Sequence, residues 1–173
     1  MSACLHGTRK KTLYLVADGC IATSRVFVQE TIADKFTAAL KAAFEEVNKQ
    51  FGANPTDPGV MFGPLATKQH YDRVVSYLEA SKKAGKIIVG GNPHATGLYI
   101  EPTIVLNPDV NSPMYKEEIF GPILALRTFK TEEEVVQLAN DTEFGLNGEN
   151  DKPRFRLKLV TWLTMYFSGG VHQ

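Results

Sequence analysis

Cysteine, tryptophan and long apolar runs are all scarce in this chain, which has two cysteines and one tryptophan among 173 residues. Cys4 and Cys20 cannot build a disulfide framework, and neither stands in a CxxC or HExxH spacing, so no metal site is expected. A chain of this length buries roughly 70% of the surface its unfolded form exposes and needs no staple. No apolar stretch nears the ~18 residues that would span a bilayer. Leu13–Ala17 is also too short for a signal-peptide core of about 7–15 residues. An excess of one charge is missing too, because 19 Lys and Arg face 19 Asp and Glu. That balance argues against a nucleic-acid surface, and the basic residues in His6–Lys11 are too few to overturn it. These absences predict a cytoplasmic protein that engages neither nucleic acid nor membrane.

With 43% hydrophobic and 22% charged residues, the composition is that of a folded domain and not of a disordered one. Residues 1–11 read as a flexible polar tail, and residues 12–173 as one domain. Arg25–Gln29 carries strand residues. Ile32, Phe36, Leu40, Phe44 and Val47 then recur at helical spacing over Glu30–Phe51, with Gly52 as a stop. Asn54-Pro-Thr-Asp-Pro58 is a turn, since each proline pushes its predecessor out of helix. A second helix is predicted over about Thr67–Ala84, with the stripe Tyr71, Val74, Val75 and Leu78 and with Gly85 closing it. Lys86–Val89 suits a buried strand, Gly90–Gly97 a loop, and Tyr99–Leu106 a strand that Pro102 demotes to an edge or bulge. After the irregular segment Asn107–Pro122, Ile123–Phe129 reads as a strand. Thr131-Glu-Glu-Glu134 is a capping box opening a helix to about Asn140. A last helix is predicted over Arg154–Phe167, ended by Gly169-Gly170 before a short terminal strand. Alternating helices and strands define the expected fold class, an α/β layered domain with a largely parallel sheet.

Two motifs carry chemistry. Gly19-Cys-Ile-Ala-Thr-Ser-Arg25, leading into Val26-Phe-Val-Gln-Glu30, closely resembles the nucleophile segment of the NAD(P)-dependent aldehyde dehydrogenase superfamily. Lys116-Glu-Glu-Ile-Phe-Gly-Pro122 resembles a second motif of that family. Gly63-Pro-Leu65, Gly85–Gly91, Gly97–Thr103 and Phe144-Gly-Leu146 match in order, so the likeness runs from about Asp18 to Leu146. The resemblance implies that Cys20 attacks a carbonyl as a thiolate, with its backbone N–H helping to hold the oxyanion. It also implies that Glu118 and Phe120 hold the ribose and ring of a nicotinamide cofactor. It further implies the fold of the family's catalytic domain, a small carbonyl substrate, and a homodimer or partner chain covering the face left by a missing cofactor domain.

The chain reads as a truncated, catalytic-domain-only member. It contains no strand followed by a glycine-rich dinucleotide turn, so the isolated chain is expected to bind no NAD(P). Three functions follow: a thiol-dependent enzyme acting on an aldehyde or acyl carbonyl without NAD-linked hydride transfer, half of an NAD-dependent enzyme completed by a partner chain, or a non-catalytic binding relic. Read without the resemblance, Glu118 is a solvated carboxylate beside Lys116, Phe120 is core packing, and His70 is a helix-surface residue.

Overall fold

The structure, a computed structural model, describes residues 22–60, 62–94, 97–144, 148–150 and 164–167. The predicted tail, Cys4, Cys20 and the Arg154–Leu163 part of the predicted last helix lie outside the described residues, as does the end of the chain beyond Phe167.

Among the described residues six strands form one sheet: β1 (Arg25–Gln29), β2 (Lys86–Val89), β3 (Thr103–Leu106), β4 (Ile123–Phe129), β5 (Gly148–Asn150) and β6 (Thr164–Phe167). Their order is β2-β3-β4-β1-β6-β5, and every neighbouring pair is parallel except β2 with β3. Four described helices accompany them: α1 (Glu30–Asn48), α2 (Lys68–Ala84), the single turn α3 (Pro113–Lys116) and α4 (Glu132–Asn140). The expected α/β class with a largely parallel sheet is therefore the observed one.

A central parallel strand is covered on both faces, which is why β1 is apolar at successive positions instead of alternating. Val26 and Val28 turn to one face, where Ile104, Leu124 and Leu126 meet Phe36, Leu40 and Phe44 of α1. Phe27 turns to the other, with Val105, Ala125 and Phe129 packed under Val74 and Leu78 of α2 and Val135 and Ala139 of α4. Completely buried Leu40 illustrates the scale, since truncating such a side chain to alanine costs about 2–5 kcal/mol.

Arg25 opens β1 but is only 5% exposed. Its guanidinium donates to the carbonyls of Leu138 (3.3 Å) and Ala139 (3.1 Å), in the last turn of α4. It also stands 5.3 Å from the centre of the Tyr115 ring. A cation is favoured there by the negative end of the helix dipole and by carbonyls the helix itself leaves unsatisfied. Burial lowers the pKa of Arg25, though a guanidinium remains charged in proteins.

Three predicted elements differ. β2 is a half-buried antiparallel edge of the described sheet, not a buried strand, with Lys86 exposed at its start. β3 begins only at Thr103, after Pro102, and lies between β2 and β4 instead of at an edge. Thr164–Phe167 is strand β6, hydrogen-bonded in parallel to β1, where a helix was predicted. Threonine, tyrosine and phenylalanine favour a strand, and an open place beside β1 satisfies their backbone.

Gly90 follows β2 at φ +71°, and a Cβ there would meet the Pro102 carbonyl oxygen at 2.4 Å. Gly90→Ala is therefore expected to destabilise the domain by about 1–3 kcal/mol, combining overpacking with left-handed strain. Urea unfolding compared with wild type measures it.

Candidate active site

The β1–β4 register decides what can meet. Arg25 is level with Ala125, and the Ala125 N–H donates to the Ser24 carbonyl at 2.9 Å. In a parallel pair both strands enter from the same end, so the residues before β1 and the segment Glu117–Pro122 before β4 share one end of the sheet. On its other side the segment is tied to β3, because the Thr103 N–H donates to the Pro122 carbonyl at 2.7 Å. The α3 turn delivers it, anchored by buried Met114 and Tyr115. Ile119 fastens its middle in the core at 5% exposure.

One helix face holds the rest of the segment. The Arg73 guanidinium donates to the Glu118 carbonyl at 2.9 Å, and the Tyr77 hydroxyl donates to the Glu117 carboxylate. His70 Nε2 lies 2.6 Å from the Phe120 carbonyl. A carbonyl only accepts, so this nitrogen carries the hydrogen. Phe120 sits at φ +53°, an unusual value for a residue with a bulky side chain. Gly121 packs so closely that a Cβ would fall 2.5 Å from Val74 Cγ1.

Beside the segment opens a groove of about 560 Å³ lined by Ala66, Thr67, Gln69, His70, Arg73 and Phe120. Its floor is the first turn of α2, where the Thr67 hydroxyl accepts from the His70 N–H at 3.1 Å. Glu118 is half-buried next to it, and burial raises its carboxyl pKa while Arg73 pulls it back down. The groove thus combines an apolar ring, a cationic guanidinium and a neighbouring carboxyl group of raised proton affinity. Among the described residues no group of three or more His, Cys, Asp or Glu could hold a metal ion. No described helix is long and apolar enough to cross a membrane.

Several sequence readings change here. Lys116 pairs with Asp141 (2.6 Å), so it is not the counter-ion of Glu118. Phe120 is a half-buried groove residue instead of core, because its left-handed backbone turns the segment away from the core after Ile119. His70 is half-buried and bonded to the segment, not a bare surface residue. Cys20 lies outside the described residues. Arg73 and Tyr77 escaped the sequence reading. Their spacing from His70, three and seven residues on, places all three along one side of α2, but nothing in the helix announces partners 40 to 50 residues away.

The Aldehyde dehydrogenase family profile matches residues 2–149. The betaine aldehyde dehydrogenase of Atriplex hortensis is 37% identical over 133 residues, covering 75% of this chain and 26% of that protein. Human aldehyde dehydrogenase 1A1 is 38% identical over 130 residues, covering 74% of this chain and 25% of that protein. The solved betaine aldehyde dehydrogenase of Staphylococcus aureus in complex with NAD+ superposes with a TM-score of 0.79 at 30% identity, over 94% of this chain and 34% of that one. A largely parallel α/β sheet with a Glu-Glu-Ile-Phe-Gly-Pro segment at one end of its strands defines the class, and the chain belongs to the aldehyde dehydrogenase family. It spans about a quarter of the length of these two curated relatives.

The raised proton affinity of Glu118 favours its neutral form in the folded state, so the stability it contributes is present at low pH and is lost as pH rises through its folded pKa. NMR titration of the carboxyl carbon should give a midpoint above the ordinary glutamate value. Arg73→Ala should move it higher still, because the guanidinium is the opposing influence. A midpoint that falls in Arg73→Ala contradicts this account.

Proposed function

We propose that Cys20 is a thiol nucleophile acting on an aldehyde or acyl carbonyl, within the catalytic portion of an aldehyde dehydrogenase. The observation that carries this reading is the β1–β4 register, which brings the residues just before β1 to the same sheet end as Glu117–Pro122. Cys20 precedes Thr23 by three residues, a reach of at most about 11 Å. The thiolate sulfur adds to the carbonyl carbon, the carbonyl π pair moves to oxygen, and the Cys20 backbone N–H donates to the resulting oxyanion. Splitting the reaction through a covalent adduct lowers each barrier.

The groove favours a second, compatible reading, in which this chain forms one side of an NAD-dependent site completed by another polypeptide segment that carries a dinucleotide-binding fold. The residues present fit a nicotinamide ribose: the Glu118 carboxylate can accept from ribose hydroxyls, Phe120 offers an apolar wall, and Arg73 offers a cation for a phosphate. NAD(P), when bound, supplies the hydride acceptor. Glu118 then orients, and the half-buried Phe120 excludes water.

Alkylation by iodoacetamide near neutral pH tests the nucleophile, with Cys4 as internal control. Cys20 is expected to label roughly tenfold faster or more, as for a thiol about one pKa unit below the ordinary 8.5. Equal rates by mass spectrometry would refute it, as would full activity in Cys20→Ser. Calorimetric titration of the 173-residue chain with NAD or NADP should show no micromolar binding, because the sequence offers no glycine-rich pyrophosphate turn. A micromolar Kd would overturn that expectation.

A further inference from the structure

We propose that α2 is the positioning element of the groove and that His70 is its key residue, holding Phe120 in the left-handed conformation that presents Glu118 and Phe120 together. The inference rests on the groove reading given above. Three donors on one side of α2 reach the segment in reverse order: His70 to the Phe120 carbonyl, Arg73 to the Glu118 carbonyl, and Tyr77 to the Glu117 carboxylate. Two of the three bonds go to main-chain carbonyls, so they fix the path of the backbone whatever side chains it bears. Only one of them bears directly on the unusual dihedral, since the His70 bond ends on the residue whose φ is +53°.

Left-handed backbone at a residue of this size persists only when its surroundings over-determine it. Ile119 is buried on one side and Gly121 is packed against Val74 on the other, which fixes the two neighbours of Phe120. Between them, the Phe120 peptide keeps its direction through the 2.6 Å contact with His70. Without that donor, the carbonyl would rotate towards water, Phe120 would relax to negative φ, and its ring would leave the groove wall. The adjacent Glu118 carboxyl would lose its half-buried place. His70 acts through Phe120, so it is a positioning residue. Its backbone N–H is already bonded to the Thr67 hydroxyl, which anchors the first turn of α2 and leaves the ring to serve the segment.

The chemistry required is a single N–H at the reach of Nε2. A glutamine amide places a donor at the same distance along its side chain, whereas phenylalanine keeps a ring and loses the donor. His70→Phe and His70→Gln therefore separate the hydrogen bond from mere bulk. In the full chain, hydrogen exchange measured by mass spectrometry over residues 115–123 should speed up by about fivefold in His70→Phe, the effect of one lost hydrogen bond. Exchange in α1 and β1 should stay unchanged, and His70→Gln should return to the wild-type rate.

Nicotinamide mononucleotide is the probe for the groove, followed by NMR shift titration. Its affinity should drop about fivefold in His70→Phe and recover in His70→Gln, a pattern that a purely structural role does not produce. Unchanged exchange in His70→Phe overturns the clamp, and so does equal mononucleotide affinity in wild type and His70→Phe. A wild-type chain with no affinity for the mononucleotide overturns the groove reading instead, while exchange still judges the clamp by itself. Should His70→Phe fail to fold, His70→Leu against His70→Gln applies the same exchange test to the bond on Phe120.

Discussion

Parallel pairing of β1 with β4 is the constraint from which the rest of the architecture follows. Two strands far apart in sequence must run in the same direction, so the chain between them has to cross over, and α1, α2 and the β2–β3 pair fill that crossover. Pairing on both edges and covering on both faces forces β1 to be apolar at consecutive positions. The same pairing gathers the entering ends of the strands, where the segment before β4 emerges beside the residues before β1.

Electrostatics divides into two kinds in this molecule. The exposed pairs along the helices, such as Lys41 with Glu45 and Lys82 with Glu79, contribute about 0–1 kcal/mol each and decide nothing about the fold. Arg25 and Arg73 differ because their acceptors are main-chain carbonyls. Arg25 joins the first strand to the end of α4, more than a hundred residues later, and Arg73 joins α2 to the segment before β4. Fixed charge here organises backbone more than it offsets opposite charge.

Local pattern made much of this legible. Arg25–Gln29 and Ile123–Phe129 are strands at the predicted residues, and Thr131 caps α4 by accepting from the Glu134 N–H as the capping box implies. Glu118 and Phe120 were legible through their motif, although their roles are proposals. What failed was decided by tertiary context. Thr164–Phe167 carries an aromatic and apolar composition that suits either a buried helix or a strand, and a place beside β1 settles the matter. Nothing within Lys86–Val89 says that it lies at an edge of the described sheet. His70, Arg73 and Tyr77 were illegible as a group for a different reason. The hydrogen bonds of His70 and Arg73 end on backbone carbonyls, which leave no residue-type signature on the accepting side, and the Glu117 carboxylate that Tyr77 meets lies 40 residues away.

The reverse-order matching of α2 to Glu117–Phe120 gives this stretch the tolerance of a measured part and not that of a loop. Although only a single helical turn precedes it and no regular element contains it, a one-residue insertion between Glu117 and Phe120 would put the acceptors after it out of step with those before it, so the three donors could not all be met. The exposed turn Asn54–Asp57, whose hydrogen bonds close within three residues, would absorb the same insertion locally. Length, more than composition, is what this stretch of backbone has to conserve.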